Sequence, residues 1–265
     1  MLRLAFFKWW SCMRDTLDGE HLSLDDMDPQ DPQFSYLQWL VSQEAEEKKK
    51  VDDNEKIKKI EELWNQIVSH TDLCRSRTDM WHMEPETVKG TALKFFRPSS
   101  LNTSATFVRI GIGANVSIEN YFKNVLPPSS EFYGADPVFS ENYELYSPIG
   151  TFFPFAIGNE TGWKPMKLTT SSDQVSQRHV NHIGIDVFFK DLIRKDVIDY
   201  LIIEGDSGES DIMAHLAKNG TLEKAGIAVC QINIEYHFSR EVKDPRREVF
   251  RKHILQFIRY AHVQK

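Results

Sequence analysis

The chain lacks several patterns that identify common protein classes. Its 265 residues include three cysteines, Cys12, Cys74 and Cys230, which lie far apart and show no Cys-x-x-Cys or Cys/His zinc spacing. A disulfide framework or a structural zinc site is therefore not expected, and Cys230, inside an apolar run, is interpreted as a small core residue. No segment reaches the roughly 20 apolar residues of a membrane-spanning helix, so no transmembrane segment is predicted.

The sequence is also poor in signals for nucleic acids, nucleotides and secretion. A net charge of −7 argues against a protein that binds the phosphate backbone of nucleic acids. Neither GxGxxG nor GxxxxGK[ST] is present. The opening MLRLAFFKWW is a poor signal peptide, and a cytoplasmic location is favoured over secretion, although the compartment and the oligomeric state stay open. Four Asn-x-Ser/Thr sequons, which often arise by chance, occur at Asn102, Asn115, Asn159 and Asn219.

The composition of the chain changes near residue 97. Residues 1–97 are predicted to form a helical N-terminal extension with a charged linker, because EAEEKKKVDDNEK is followed by apolar residues at helical spacing. Residues 98–265 alternate strand-like and helical segments. Such alternation predicts a mostly parallel α/β sheet with helices on both faces.

The most informative segment is VRIGIGANVSIENYF, residues 108–122, where a strand-like run enters Gly111 and Gly113 before a helix. Glycines at this turn let a ligand approach the backbone, and the helix that follows offers unpaired N–H groups. The third glycine of a pyrophosphate-binding GxGxxG motif is absent, and Asp136 ends the next strand roughly 20 residues on. An acid there can accept ribose hydroxyls. A tight turn and a turn residue before Pro137 are the alternatives.

Several motifs, taken in order, resemble those of one family. GIGANVSIENYF, YGADPVFSENYELY, FFPFAIGNETG, DYLIIEGDSGE and QINIEYH look like the FkbM-type S-adenosylmethionine-dependent methyltransferases. The similarity covers roughly residues 80–262 and is greatest to the FkbM-domain proteins of nematodes. It implies a class I methyltransferase (Rossmann-like) fold with S-adenosylmethionine as cofactor. The implied reaction is O-methylation of an unidentified acceptor, either a small molecule or a glycan- or lipid-like molecule.

The resemblance also implies roles for individual residues. The glycine turn, the acid of the second strand and the loop after the third strand would bind the cofactor, with Asp136 on the ribose and Asn159 near the adenine. Acids and a histidine at the ends of later strands would be catalytic, as general base. The implied cofactor-binding residues are Gly111, Gly113, Asn115, Asp136 and Asn159, and the implied catalytic residues are Glu204, Asp206 and His237. No metal site is implied.

Three departures from the family pattern support an alternative to an active methyltransferase. Gly111 stands where the family usually has an acid, and Asp206-Ser207 replaces a Glu-Gly pair. The chain also ends where the fold normally continues into an antiparallel β-hairpin, and this apparently missing hairpin would leave a sheet edge exposed. The alternative is therefore a catalytically inactive methyltransferase fold that binds or scaffolds.

Two further hypotheses remain open. EGDSGES, residues 204–210, resembles the nucleophile segment of serine hydrolases, which would make Ser207 a nucleophile that needs a histidine and an acid nearby. His179 and His182 could hold a metal ion, although a polar turn explains them more simply.

Overall fold

The structure is a computed structural model that describes residues 2–7, 86–91, 93–96, 103–169, 175–204, 209–216 and 220–236. The described elements all fall in one compact unit, Met1–Asp15 with Pro85–His237. The strands are β1 (Leu2–Phe7), β2 (Glu86–Thr87), β3 (Lys94–Phe95), β4 (Thr106–Ile110), β5 (Glu131–Ala135), β6 (Thr151–Phe153), β7 (Ala156–Gly158), β8 (Gly162–Thr169), β9 (Val175–Gly184), β10 (Val197–Ile203) and β11 (Ala228–Tyr236). The helices are α1 (Ser117–Val125), α2 (Phe139–Tyr146), α3 (Ile185–Val187) with a π-helix (Phe188–Ile193), α4 (Glu209–Leu216) and α5 (Thr221–Lys224).

Six strands form the main sheet in the order β1-β11-β10-β4-β5-β6. Five of them, β4, β5, β6, β10 and β11, run parallel, whereas β1 is antiparallel to β11. Counted along the chain, the parallel strands lie in the order 3-2-1-4-5, so the direction of winding reverses between β4 and β10. The prediction of a mostly parallel α/β sheet is confirmed, and the arrangement is Rossmann-like. Ligands of such sheets bind at the carboxyl ends of the strands beside this reversal.

The central strands are apolar because they are covered on both faces. All five residues of β4, TFVRI, are buried, and β10 is buried throughout its second half. A strand that is covered on only one face would alternate buried and exposed residues. Both faces of the sheet centre are therefore packed against other elements, as the sequence pattern predicts.

An aromatic cluster forms the core between β4, α1 and the β2–β3 hairpin. Phe122 of α1 lies at its centre, with ring centroids 4.6 Å from Phe95, 4.9 Å from Phe107 and 4.8 Å from Tyr200. The N–H of Phe96 donates to Oε1 of Gln231, and its carbonyl accepts from Nε2 of Gln231 and from the hydroxyl of Tyr200. The hairpin is thus part of the same core as the sheet. The predicted domain boundary at residues 97/98 stays a prediction, since residues 97–102 lie outside the described residues.

The first residues of the chain correct two predictions. Leu2–Phe7 forms β1, which pairs with Gln231–Tyr236 of β11, so this part of the predicted helical N-terminal segment is a strand. Short apolar runs fit a strand or a helix equally well, and an open sheet edge favours the strand. The same pairing covers the edge that the apparently missing β-hairpin was expected to leave exposed. Residues 8–85 and 237–265, which include the charged linker, lie outside the described residues.

A second, three-stranded sheet was not predicted. The segment FFPFAIG divides into β6 in the main sheet and β7 in a sheet of order β7-β9-β8. Pro154 separates the two strands, because proline lacks the N–H that a continuing strand would use. Strands β8 and β9 form a long antiparallel hairpin from Gly162↔His182 to Thr169↔Val175. Within the described residues, no helix is both long and apolar enough to cross a membrane.

Candidate functional site

The glycine loop, residues 111–115, follows β4 beside the point where the winding of the sheet reverses. Gly111, Gly113 and Ala114 have φ values of 82°, 60° and 55°, in the left-handed region that favours glycine. A Cβ atom added to Gly113 would meet nothing within 4 Å, so its requirement is conformational and open space adjoins the loop. Ile112 is fully buried between the two glycines and anchors the loop to the core.

Asp136 connects the end of β5 to this loop. Its Oδ2 atom accepts hydrogen bonds from the N–H groups of Ile112 at 2.9 Å and Gly113 at 3.2 Å. Its Oδ1 atom accepts a hydrogen bond from the N–H of Val138 at 2.8 Å. The residue is 6% exposed, so the carboxylate is held between the loop and the start of α2. The structure therefore brings Gly113 and Asp136, both predicted to bind the cofactor, into direct contact.

Asn142 of α2 binds the next backbone N–H group of the glycine loop. Its Oδ1 atom accepts a hydrogen bond from Ala114 N–H at 2.8 Å, and its Nδ2 group donates to the carbonyl of Val138 at 2.9 Å. Three successive backbone N–H groups of the loop, those of residues 112–114, are thus bonded to side chains that follow β5. Such a run of N–H groups is a typical anion site, and here an internal carboxylate occupies it.

Arg109 of β4 holds the other side of the glycine loop. Its Nε atom donates to the carbonyl of Gly111 at 3.0 Å, Nη1 to that of Asn115 at 2.9 Å and Nη2 to that of Ile112 at 3.1 Å. The loop therefore has its carbonyl groups fixed by an arginine and its N–H groups fixed by Asp136 and Asn142. A loop that is bonded on both sides is pre-organised in one conformation.

Two carboxylates compensate the buried charge of Arg109. Nη1 lies 2.9 Å from Oε2 of Glu119 in α1, and Nη2 lies 2.7 Å from Oε2 of Glu204, which follows β10. Burial raises the pKa of Glu119, while the Coulomb attraction of Arg109 opposes this shift. The hydroxyl of Tyr146, which is 0% exposed, has no hydrogen-bond partner among the described residues, and burial raises its pKa well above the ordinary value.

The predicted catalytic residues are only partly described. Glu204 lies at the carboxyl end of β10, with its side chain 20% exposed and bonded to Arg109. Asp206, Ser207 and His237 lie outside the described residues. The catalytic roles of Asp206 and His237, and the hypothesis of a Ser207 nucleophile, therefore stay predictions.

Asn159 does not contact the glycine loop through any hydrogen bond found in the described part of the chain. It is exposed in the turn between β7 and β8, and its Oδ1 atom lies 2.6 Å from Nε2 of His215 in α4. Because Oδ1 can only accept, His215 donates from Nε2, and its Nδ1 atom lies 2.7 Å from Oγ1 of Thr221. The adenine contact predicted for Asn159 stays a prediction.

The hypothesis of a metal ion shared by His179 and His182 is wrong for a geometric reason. Both residues lie on β9, where side chains three positions apart point to opposite faces. His179 is exposed and stacks beside Trp163 with an interplanar angle of 19°, whereas His182 is half-buried. Within the described ranges, no group of three or more His, Cys, Asp or Glu residues could hold a metal ion.

Three residues that organise the site were not predicted: Arg109, Glu119 and Asn142. A signal existed for the first of these, because an arginine within the apolar strand TFVRI is buried and a buried charge needs partners. The partners themselves leave no local signal, since Glu204 lies far along the chain. Asn142 is a polar residue in a helix, and only the packing of α2 against the loop shows its role.

Comparison of the chain with protein-family models, with curated proteins and with solved structures finds no match. The resemblance of the sequence motifs to the FkbM-type methyltransferases therefore stays a prediction. What the structure adds to it is the geometry around the glycine loop. A functional assignment has to be argued from that geometry.

Proposed function

We propose that the chain is an S-adenosylmethionine-dependent methyltransferase of the FkbM type, acting on an oxygen of a small-molecule, glycan-like or lipid-like acceptor. One observation carries the proposal: the glycine loop and Asp136 meet where the winding of a parallel sheet reverses. This is the position at which open α/β sheets bind their ligands. The sequence motifs resemble the family at the same residues.

The bonding of the loop favours adenosine over a phosphate group. A phosphate would need the N–H groups of residues 112–114, but Asp136 and Asn142 already use them. The Asp136 carboxylate would also repel a phosphate. Ribose hydroxyls and a positively charged sulfonium are compatible with this environment. The ligand expected here is therefore a nucleoside that carries no phosphate.

The fit of the cofactor to Asp136 can be stated by counting lone pairs. An ionised carboxylate accepts about four hydrogen bonds, and Asp136 already accepts three from the backbone. One ribose hydroxyl can bond directly at the remaining site on Oδ1. The second would replace the longest contact, that of the Gly113 N–H at 3.2 Å. The open space beside Gly113 is where the ribose would lie against the backbone.

When bound, the cofactor supplies an electrophilic methyl group on its sulfonium sulfur. The residues of the chain have to hold the acceptor oxygen in line with that group and receive its proton. Glu204 lies across the reversal point from the glycine loop and is held there by Arg109, which makes it the described candidate for the general base. Asp206 and His237 are proposed to act beside it.

Calorimetric titration with S-adenosylmethionine tests the proposal. Wild-type protein is expected to bind, and Asp136→Asn to bind at least about tenfold more weakly, because a hydrogen bond to a charged group contributes about 1.5–3 kcal/mol. Asp199→Asn is the matched control, since Asp199 also accepts a backbone N–H, that of Thr106 at 2.7 Å, but at the start of β4. This variant should bind as wild type does.

Two results would contradict the assignment in different ways. If wild-type protein shows no heat of binding and no thermal shift at millimolar cofactor, the methyltransferase assignment is excluded. Equal affinities of wild type and Asp136→Asn would exclude Asp136 as the ribose contact while leaving cofactor binding intact. The thermal melts of all three proteins show whether each variant is folded.

A second candidate function is a catalytically inactive methyltransferase fold that binds or scaffolds another molecule. The observation that favours it is the internal bonding of three loop N–H groups, which stabilises the loop without a ligand. Gly111 in place of the family's usual acid favours it as well. A folded wild-type protein that does not bind S-adenosylmethionine in the same titration would support this alternative.

A further inference from the structure

We infer that Asn159 carries an N-linked glycan and that the chain folds in an oxidising compartment. Asn159-Glu160-Thr161 is a sequon, and all three residues are exposed in the turn between β7 and β8. Surface turns of secreted proteins are where such sequons are used. The second, independent observation is a disulfide at Cys230.

The disulfide indicates the compartment. Cys230 of β11 is disulfide-bonded, so its interpretation as a small core residue is wrong, and a disulfide exists in a chain for which a disulfide framework was not expected. Disulfides persist in oxidising compartments and are rare in the cytosol, where thiols are kept reduced. Two thiols lose two electrons and two protons to form the bond, and the dithiol–disulfide oxidants of that compartment accept the electrons. In the endoplasmic reticulum, the oxidising compartment in which the secreted proteins of eukaryotic cells fold, a chain also meets the enzymes that attach N-linked glycans.

The contacts of Asn159 are compatible with a glycan. The hydrogen bond to His215 uses the Oδ1 atom, whereas a glycan attaches to Nδ2. In the reaction, Nδ2 loses one proton and bonds to the anomeric carbon of a lipid-diphosphate-linked oligosaccharide, whose bond to the diphosphate breaks. The Oδ1 acceptor is kept, so the bond to His215 can form in the modified protein.

The hydrogen bond of the Thr161 hydroxyl indicates at which stage of folding the glycan is added. Its Oγ1 atom accepts a hydrogen bond from Gly184 N–H at 2.9 Å in the folded chain. The same hydroxyl is the part of the sequon that the glycosylating enzyme has to recognise. Recognition therefore precedes the pairing of β7 with β9, and the glycan is added before the second sheet has formed.

Asn115 is the other sequon asparagine that the structure describes; like Asn159 it is exposed and uses its Oδ1 atom as an acceptor, so only its place in the glycine loop disfavours it as a carrier. Its carbonyl is bonded to Arg109, and its Oδ1 atom accepts the N–H of Ser117 at the start of α1. A glycan there would cover the face of the glycine loop that the proposed function assigns to the cofactor. The preference for Asn159 over Asn115 rests on that proposed function, whereas the exposure of Asn159 and the disulfide do not.

The test is glycan mapping of the full 265-residue chain, directed into the secretory pathway of insect cells by a cleavable leader. N-glycosidase digestion in heavy-oxygen water converts each modified asparagine to a labelled aspartate, which peptide mass spectrometry locates. Label at Asn159 and none at Asn115 is expected. Asn159→Gln should migrate faster on a gel by the mobility shift of one glycan, which N-glycosidase removes from the wild-type protein. Thr161→Ser, which keeps both the sequon and the hydroxyl bonded to Gly184, should keep that glycan.

Thiol titration of the same unreduced, denatured protein tests the compartment. One disulfide among three cysteines leaves one free thiol, and the protein made in a reducing cytosol should have three and a lower thermal midpoint. Three free thiols in the secreted protein, an unlabelled Asn159 or a labelled Asn115 would overturn the inference. Neither measurement uses S-adenosylmethionine, so failure here is distinct from failure of the proposed function. A labelled Asn159 would also remove this residue from the cofactor contacts.

Discussion

Phe107 and Arg109 leave the same face of β4 two residues apart, yet they enter different environments. Phe107 packs into the aromatic cluster, with its ring centroid 4.9 Å from that of Phe122 and 6.4 Å from that of Tyr200. Arg109 enters a cluster of charges and backbone carbonyls under the glycine loop. Both side chains are almost completely buried. One strand thus supplies the apolar core at its start and the candidate site at its end.

The two environments differ in how they respond to change. Hydrophobic packing is non-directional, and a ring of about the right size can replace another at modest cost. The hydrogen bonds of Arg109 are directional. The five N–H groups of its guanidinium meet five acceptors, which are the carbonyls of residues 111, 112 and 115 with Glu119 and Glu204. Removal of one member of such a set leaves others buried without partners. The charged cluster should therefore be the more fragile of the two.

The largest effect is expected for Arg109→Met. The substitution leaves the 0%-exposed carboxylate of Glu119 without its cation, and losing one partner of a buried ion pair costs about 3–5 kcal/mol. Urea unfolding should show this loss in the free energy of unfolding. Arg109→Met combined with Glu119→Leu should recover part of the loss, because apolar residues of similar size can replace a buried pair. A loss below about 1 kcal/mol in the single variant would show that the cluster is not needed.

The second-largest loss of stability is expected for Gly134→Ala, because Gly134 lies against the ring of Tyr146. A Cβ atom added to Gly134 of β5 would lie 2.8 Å from Cε1 of Tyr146, and two further ring atoms would be closer still. Because Tyr146 is fully buried, Gly134→Ala should cost about 1–3 kcal/mol through overpacking. Gly158→Ala in β7 is the control, since its nearest contact would be His182 at an acceptable 3.4 Å. Equal thermal midpoints for the two variants would contradict the packing argument.

The sequence was sufficient to predict the parts of the fold that depend on local pattern. The alternation of strands and helices, the glycine loop and the position of Asp136 are all evident from spacing along the chain. The contact of Asp136 with the loop follows from topology, because adjacent parallel strands place their carboxyl ends together. Predictions of this kind need only the period of the apolar residues and the types of residue at the turns.

What could not be predicted depends on partners that are distant in sequence. Leu2–Phe7 is a strand because the open edge of β11 is available to it, and Glu204 is held because Arg109 lies on the neighbouring strand. The β8–β9 hairpin carries mixed polar residues over GWKPMKLT, without the strict alternation that indicates a half-buried strand. In each case tertiary contact decides the structure, and local pattern does not.

Glu119 gives the charged cluster a dependence on pH. Since burial raises its pKa in the folded state, the carboxyl contributes stability that is complete below the ordinary value of 4.5 and is lost as the pH rises through the folded-state pKa. Glu119→Gln should therefore flatten the fall in unfolding free energy between about pH 4.5 and neutrality. Urea unfolding across this range measures the slope.

Glu131 is the control, because its pKa is shifted in the opposite direction from that of Glu119. Its pKa is lowered by hydrogen bonding to Lys195 on the protein surface, so its contribution is present at neutral pH and is lost as the pH falls. Glu131→Gln should leave the slope above pH 4.5 unchanged and alter stability only slightly, as exposed pairs do. Parallel curves for wild type and Glu119→Gln would contradict the assignment to Glu119.

The smallest effect is expected for removal of the hydroxyl of two buried tyrosines, which should change the free energy of unfolding in opposite directions. The hydroxyl of Tyr146, beside the charged cluster, has no partner among the described residues, whereas that of Tyr200, in the aromatic cluster, donates to the carbonyl of Phe96 at 3.0 Å. An unsatisfied buried hydroxyl is costly, so Tyr146→Phe should stabilise the protein by about 1 kcal/mol. Tyr200→Phe removes a hydrogen bond and should destabilise it by a similar amount. Urea unfolding of both variants checks the signs, and a loss of stability in Tyr146→Phe would mean that a buried water bonds this hydroxyl to the charged cluster.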